Sequence, residues 1–433
     1  MENKLGWRKW VSFLLAGFVG QLAWAIENNY LNLYVFFCTQ EYSFIPMMTA
    51  LSAVTATLTT LFMGALADRL GKRKLFISLG YIIWGISIIL FAFLDPKNNI
   101  TIIVNNNIFL SGVLIVLMDC VMTFFGSTAN DAAFNASVTD NTNTSNRGKV
   151  ESVLSVLPLI AMIMVVLVGG IFVDGSEKRW DIFFYIFGGL TLLAGTICLF
   201  LYPKDNVKPN KEEPYLHNLI YGFRPKSVKD NKKLYLSLLS FMTFNIGVQV
   251  YMPYFMVYFQ EGLNIKGMDF TISLGSILLV ASLVAIIVGL FMDKIGKNKV
   301  IIPALIFAIG GGVFMTFARH MPALIAGGII LMSGYLVTTA VLGAKIRDYT
   351  PSNQTGLFQG VRMVFVVLIP MVTGPYIGQA VSLINAQQYT NEYGQLVTRP
   401  NEFIFLFTAT IIALVFIPLI FLFKQEKKDE LPN

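Results

Sequence analysis

The chain has 433 residues, of which 55% are hydrophobic and only 13% charged, and its formal net charge is +7. A soluble domain carries about 25% charged residues, so a set of water-soluble domains is excluded. The basic surplus lies scattered in short loops between long apolar runs, which excludes a nucleic-acid-binding face and marks a membrane topology instead.

The first apolar run, 11–37, is too long for a secretory leader, lacks a small-residue cleavage site and carries Glu27 in its middle, so it is expected to remain as a helix. On an ideal helix Gln21, Trp24, Asn28 and Asn32 share one stripe, and Glu27, Tyr30 and Tyr34 share a second. Two polar stripes cannot both face lipid. The first fits a cavity where amides bind hydroxyls and Trp24 stacks on a ring. Glu27 reads either as a proton or cation site or as a structural hydrogen-bonded group.

The second run, 45–66, has Ser and Thr as its only polar residues, and the third, 75–94, is almost wholly apolar. The fourth, 108–135, places Asp119 on a stripe with Thr123, Gly126 and Asn130, and Asp131 nearer one end. Charge at mid-membrane costs at least ~2.5–3.5 kcal/mol, so such groups face a cavity or a partner. Asp119 is a candidate proton carrier, and Asp131 suits a gate, an interhelical contact or a solute site. Runs 150–172 and 181–202 complete a first half.

The polar stretch 203–233 reads as a linker with a short surface helix around 215–223. The seventh run, 234–259, carries Asn245 and Gln249 on one stripe and Tyr251, Tyr254 and Tyr258 on another, as an outer gate or interfacial anchors. Runs follow at 270–291, 300–317, 322–342, 356–384 and 403–423, the last two separated by a polar, mobile connection. Arg362 is the single basic residue inside a span. It needs a carboxylate, carbonyls or an anionic solute, and Glu27, Asp119 and Asp131 are its candidate partners. Pro158, Pro253, Pro370 and Pro375, with Gly374, are bending points.

Placing both termini in the cytoplasm puts 25 of the 32 Lys and Arg residues inside and six outside. The expected architecture is an all-α membrane protein of twelve transmembrane helices in two six-helix bundles, residues 1–202 and 234–433, joined by a cytoplasmic linker at 203–233.

The halves repeat. Gly64, Asp68, Arg69, Gly71 and Lys72–Lys74 recur 225 residues on as Gly289, Asp293, Lys294, Gly296 and Lys297–Lys299, with Asn298 standing where the first copy has Arg73. Asp140, Thr142, Gly148 and Glu151 recur 208 residues on as Asp348, Thr350, Gly356 and Gln359. The first glycine of each loop copy is expected to let helices approach closely, the second to make a left-handed turn, and the basic cluster to anchor at the anionic leaflet. Parallel repeats of this kind bind solute between the halves.

The loop Gly64–Arg73, with its weaker copy Gly289–Asn298, resembles that of the major facilitator superfamily, and the likeness covers essentially the whole chain. Val138–Asp140 before Asn146–Gly148, and Gly356–Met363, look most like the glycoside–pentoside–hexuronide cation symporters and the related sucrose-transporter-like group. The resemblance implies alternating access by rocking of two bundles. Sodium-coupled members of the glycoside group carry acidic residues in the second helix. This chain has none there, which leaves protons as the expected coupling ion.

The sequence therefore points to secondary transport of a small polar solute, a sugar or glycoside, coupled to protons, by a monomer in a bacterial inner (plasma) membrane. Export of amphipathic compounds by antiport is the alternative. An enzyme is not expected, and no cofactor or metal is implied. His217 and His320 lie in separate loops, Cys38, Cys120 and Cys198 have unrelated spacings, and no phosphate-binding glycine loop is present.

Overall fold

The computed structural model describes residues 6–95, 107–142, 150, 153–154, 156–173, 178–205, 223–351, 355–384, 388–390, 396–398 and 400–430. The apolar runs are helices. They are α1 (Trp7–Thr39), α2 (Phe44–Leu70), α3 (Arg73–Phe93), α4 (Ile108–Asn141), α5 (Leu157–Phe172) and α6 (Trp180–Leu201). There follow α7 (Lys232–Gly262), α8 (Gly267–Ile295), α9 (Lys297–Phe317), α10 (Met321–Tyr349), α11 (Thr355–Met363 running on through Val364–Leu368 and Ile369–Ser382) and α12 (Phe403–Lys428). Among the described residues eleven of these are long and apolar enough to cross a membrane, and α5 is shorter, with 16 residues. In hydrocarbon a helix satisfies its backbone groups internally, which is why runs of this length fold this way. The expected surface helix at 215–223 lies outside the described residues except for Phe223; a short helix does stand at Pro225–Asp230. In the connection before α12, Gln388–Thr390 and Leu396–Thr398 pair as a small antiparallel hairpin.

The chain divides into two compact units, one of residues 1–213 with 266–271 and one of 214–265 with 272–433. In the first, α1 packs on α5 and α6, α2 on α4, and α3 along α6. Gly85 and Gly188 make the α3–α6 contact possible: a Cβ on Gly85 would meet the Gly188 carbonyl oxygen at 2.7 Å. Small residues at such crossings let backbones approach and gain dispersion contacts where lipid gives no hydrophobic drive. In the second unit α9 packs on α10 and α12, and α7 on α11 and α12.

The two repeated motifs meet physically. Gly71, at φ 61°, closes α2 with its N–H on the Ala67 carbonyl, and Gly296, at φ 95°, ends α8. Arg73, just beyond the first turn, pairs with Asp140 at the end of α4. In the second unit Lys297 pairs with Asp348 at 2.5 Å, so each loop copy binds the aspartate of the other repeated motif. Asn298 donates to Glu426 at 2.7 Å, and Glu426 also takes the buried Lys345 ammonium at 2.7 Å and the Tyr349 hydroxyl. Arg69 is exposed.

Two expectations need correction. The first glycines of the loops are not points of close approach among the described residues. A Cβ on Gly64 would touch only Ala132, at 3.8 Å, and one on Gly289 would touch nothing within 4 Å. The tyrosines of α7 are not interfacial anchors either. Tyr251, Tyr254 and Tyr258 are buried in their own unit, with Tyr251 and Tyr258 against Phe405 and the Tyr254 hydroxyl on the Pro375 carbonyl.

Candidate functional site

The helix α1 is not uniform. Residues Ile26–Tyr30 form a π turn, one residue wider than an α turn, where the Leu31 N–H reaches back to the Ile26 carbonyl. Such insertions concentrate at functional sites. An extra residue re-phases everything after it by about 100°, so the polar stripes of an ideal helix break here. Tyr30 and Tyr34 turn into an aromatic cluster with Trp180, Phe183 and Phe184, and the Tyr34 hydroxyl donates to the Phe91 carbonyl at 2.6 Å. Glu27 points elsewhere.

Glu27 is 7% exposed and lies against α2 and α4. Its Oε1 is 2.7 Å from the Ser52 hydroxyl and 2.9 Å from the Thr123 hydroxyl, and those two hydroxyls are 2.8 Å apart. Its Oε2 has no hydrogen-bond partner. Asp119, one helical turn before Thr123, is 1% exposed, faces Ser52 and Glu27, and leaves Oδ1 unpartnered. No Lys, Arg or His pairs with either carboxyl among the described residues of this unit. Two acids thus share one buried, cation-free pocket of hydroxyls. Burying carboxylates without a counter-charge costs far more than burying the neutral acids, so two ionised, unpaired carboxylates are disfavoured here.

Beside it, Trp24 is half-buried and packs at 5.0 Å on the buried Trp84, over the space left by Gly126. Gln21 is half-buried and Asn28 exposed. The Asn28 amide donates to the Trp24 carbonyl at 2.9 Å and the Asn32 amide to the Asn28 carbonyl at 3.1 Å, so these amides partly serve backbone carbonyls one turn back on their own helix. Asn32 is buried, its Oδ1 unpartnered. The four residues of the expected stripe therefore do not share one exposure.

A second π turn, Ser127–Phe134, lies on α4 around Asp131. Ser127 donates to one Asp131 oxygen at 3.1 Å and Asn130 to the other at 3.2 Å. Asn130 in turn accepts from Tyr81, whose hydroxyl also reaches the Ala16 carbonyl at 2.6 Å. Asp131 is thus tied into a contact among α1, α3 and α4.

The second unit holds Asn245, Gln249 and Arg362. Another π turn, Val364–Leu368, ends two residues before Pro370. Proline has no N–H for the Val366 carbonyl four residues back, and the Asn245 amide of α7 fills that place at 2.9 Å. Gln249 lies where α7 crosses α11 at Gly374, and its amide has no hydrogen-bond partner among the described residues. Arg362 is half-buried, with no ion-pair partner among the described residues of its unit.

Sequence reasoning brought Glu27, Asp119 and Thr123 inward, and the fold does join them. It missed Ser52, one of several hydroxyls on α2, because nothing in a Ser/Thr-rich helix says which hydroxyl meets a carboxyl. The side chains of Asp68, Asp293, Gly356 and Gln359, and all of Asn146–Gly148, lie outside the described residues. Among the described residues no group of three or more His, Cys, Asp or Glu residues could hold a metal.

The family model of the Major Facilitator Superfamily matches residues 10–375 and 278–433. The chain belongs to this superfamily. It is an integral, multi-pass membrane transporter, not an enzyme. Solved transporters share the fold. The nucleoside transporter NupG superposes with a TM-score of 0.73 at 12% identity, covering 95% of this chain and 99% of that one. A D-xylose–proton symporter gives 0.71 at 12%, covering 95% and 97%. The xylose transporter XylE from E. coli gives 0.66 at 13%, covering 94% and 96%. No curated protein sequence matches the chain.

Proposed function

We propose that this transporter moves a small hydroxylated solute, a sugar or glycoside, by alternating access coupled to protons, with Glu27 and Asp119 as the coupling carboxyls. The reading rests on one juxtaposition: two buried carboxyls without a cation among the described residues of their unit share α1 and α4 with the half-buried Trp24 at Gly126, and Gln21 and Asn28 stand about one helical turn either side of Trp24 on α1. An aromatic face binds the apolar face of a pyranose or furanose ring, and amides bind its hydroxyls. A proton taken up by the carboxyl pair lowers the negative charge of the site by one unit, which lets the bundles rock and release solute on the other side. The structural neighbours include a nucleoside transporter and a D-xylose–proton symporter, which agrees with this choice.

In this reading residues 1–202 and 234–433 are the two bundles, 203–233 is the cytoplasmic linker, and both termini are cytoplasmic in the plasma membrane of a monomeric transporter. Gln249 binds solute from the second bundle. Asn245 contributes its carbonyl oxygen only, since its amide is engaged at Val366. Arg362 serves a solute oxygen or an acid that approaches it during the cycle, and Asp131 steadies the α1–α3–α4 contact.

The test is uptake of a panel of labelled sugars and nucleosides into proteoliposomes under an imposed inward proton gradient, with a sodium gradient as comparison. Accumulation that requires the proton gradient and disappears in Glu27→Gln or Asp119→Asn supports the proposal. Uptake driven by sodium alone, or accumulation intact in both variants, overturns it.

A further inference from the structure

Counting hydrogens around Glu27 decides a protonation state. Three oxygens, Glu27 Oε1, Ser52 Oγ and Thr123 Oγ1, form a triangle with edges of 2.7, 2.8 and 2.9 Å. Each edge is a hydrogen-bond distance and needs one hydrogen. Ser52 and Thr123 supply one each. If both hydroxyls donate to Glu27, the 2.8 Å edge between them has no hydrogen and sets two lone pairs face to face in a buried site. A third hydrogen is required, and the other oxygen-bound hydrogen that can lie on an edge is the carboxyl's own.

The outer oxygen gives the same answer independently. Glu27 Oε2 is buried and accepts nothing. An ionised carboxylate would carry half its charge there with no donor to meet it, a costly arrangement. A neutral acid protonated at Oε1 puts its carbonyl there instead, which a dry site tolerates better. Among the described residues of this unit the other ionisable groups facing this position are Asp119, Asp131 and Cys120, from α4. None is basic, and no cation of the described residues in this unit competes for the role of the proton.

We infer that Glu27 carries a proton on Oε1 in this conformation, and that Ser52 and Thr123 close a three-membered hydrogen-bond ring that holds it. The acid donates to one hydroxyl, that hydroxyl to the other, and the second back to Oε1; every oxygen donates once and accepts once. Ser52 and Thr123 are then positioning residues of the coupling site. The inference deepens the proton-coupling proposal by giving the proton an address.

Infrared spectroscopy of the purified, reconstituted protein tests it without a solute. At pH 7 a protonated-carboxyl C=O stretching band is expected that is lost in Glu27→Gln. In Ser52→Ala and in Thr123→Val, which both keep the carboxyl, that band is expected to move in frequency, because the ring is opened. The hydroxyl variants keep the test valid should Glu27→Gln fail to fold. No band lost in folded Glu27→Gln, or a band that stays in place in both hydroxyl variants, overturns the inference. A ring that holds while sodium alone drives uptake would overturn the coupling proposal and leave the ring standing.

Discussion

Asn245 presents a sharp conflict between a binding role and a structural one, and the conflict can be resolved by measurement. Pro370 removes the N–H that would meet the Val366 carbonyl, and the Asn245 amide replaces it at 2.9 Å. In Asn245→Ala the carbonyl loses its donor. An unsatisfied carbonyl costs about 1–3 kcal/mol, and interhelical hydrogen bonds in membranes average nearer 0.6 kcal/mol, so a loss of about 1 kcal/mol is expected. The decisive variant is Pro370→Ala, which restores a backbone N–H four residues after Val366. In that background Asn245→Ala should cost close to nothing. The assay is equilibrium unfolding in mixed micelles of the four proteins of the cycle, whose coupling energy isolates the shared carbonyl. Equal cost of Asn245→Ala in both backgrounds would refute the reasoning, and the amide would then be free to serve solute.

Other consequences follow from packing and charge. Lys345→Met strands the Glu426 carboxylate on Tyr349 and Asn298, and breaking so enclosed a pair should cost about 3–5 kcal/mol; the double variant Lys345→Met with Glu426→Leu should regain most of it, read by the same unfolding assay. A side chain at Gly126 would lie 2.7 Å from the Trp84 ring and 3.2 Å from Trp24, so Gly126→Val should destabilise the first unit by about 1–3 kcal/mol and shift tryptophan emission as the pair separates.

How far the sequence reached can be judged residue by residue. The glycines of the loop repeat announced left-handed turns, and Gly71 and Gly296 adopt positive φ because a residue without Cβ can do so at no steric cost. Asp140 and Asp348 announced a second repeat, but a linear string does not say that Arg73 and Lys297 reach across to them. Glu27 and Asp119 were marked inward by the cost of charge in lipid. Gln21, Trp24, Asn28 and Asn32 share a stripe only at a constant 100° per residue, and the π turn at Ile26–Tyr30 breaks that constancy.

The sequence by itself determined the class of molecule. Apolar length fixes helices that span, the placement of Lys and Arg indicates a topology, and motifs in register declare a duplicated chain, because each of these is set by local transfer energy or by repetition. Only the tertiary structure decided partners: which hydroxyl meets Glu27, which amide replaces the hydrogen that Pro370 lacks, which ammonium Glu426 holds. Those are contacts between residues 25 to 121 positions apart. Their energies depend on distances of a few ångströms, which no periodicity along the chain encodes.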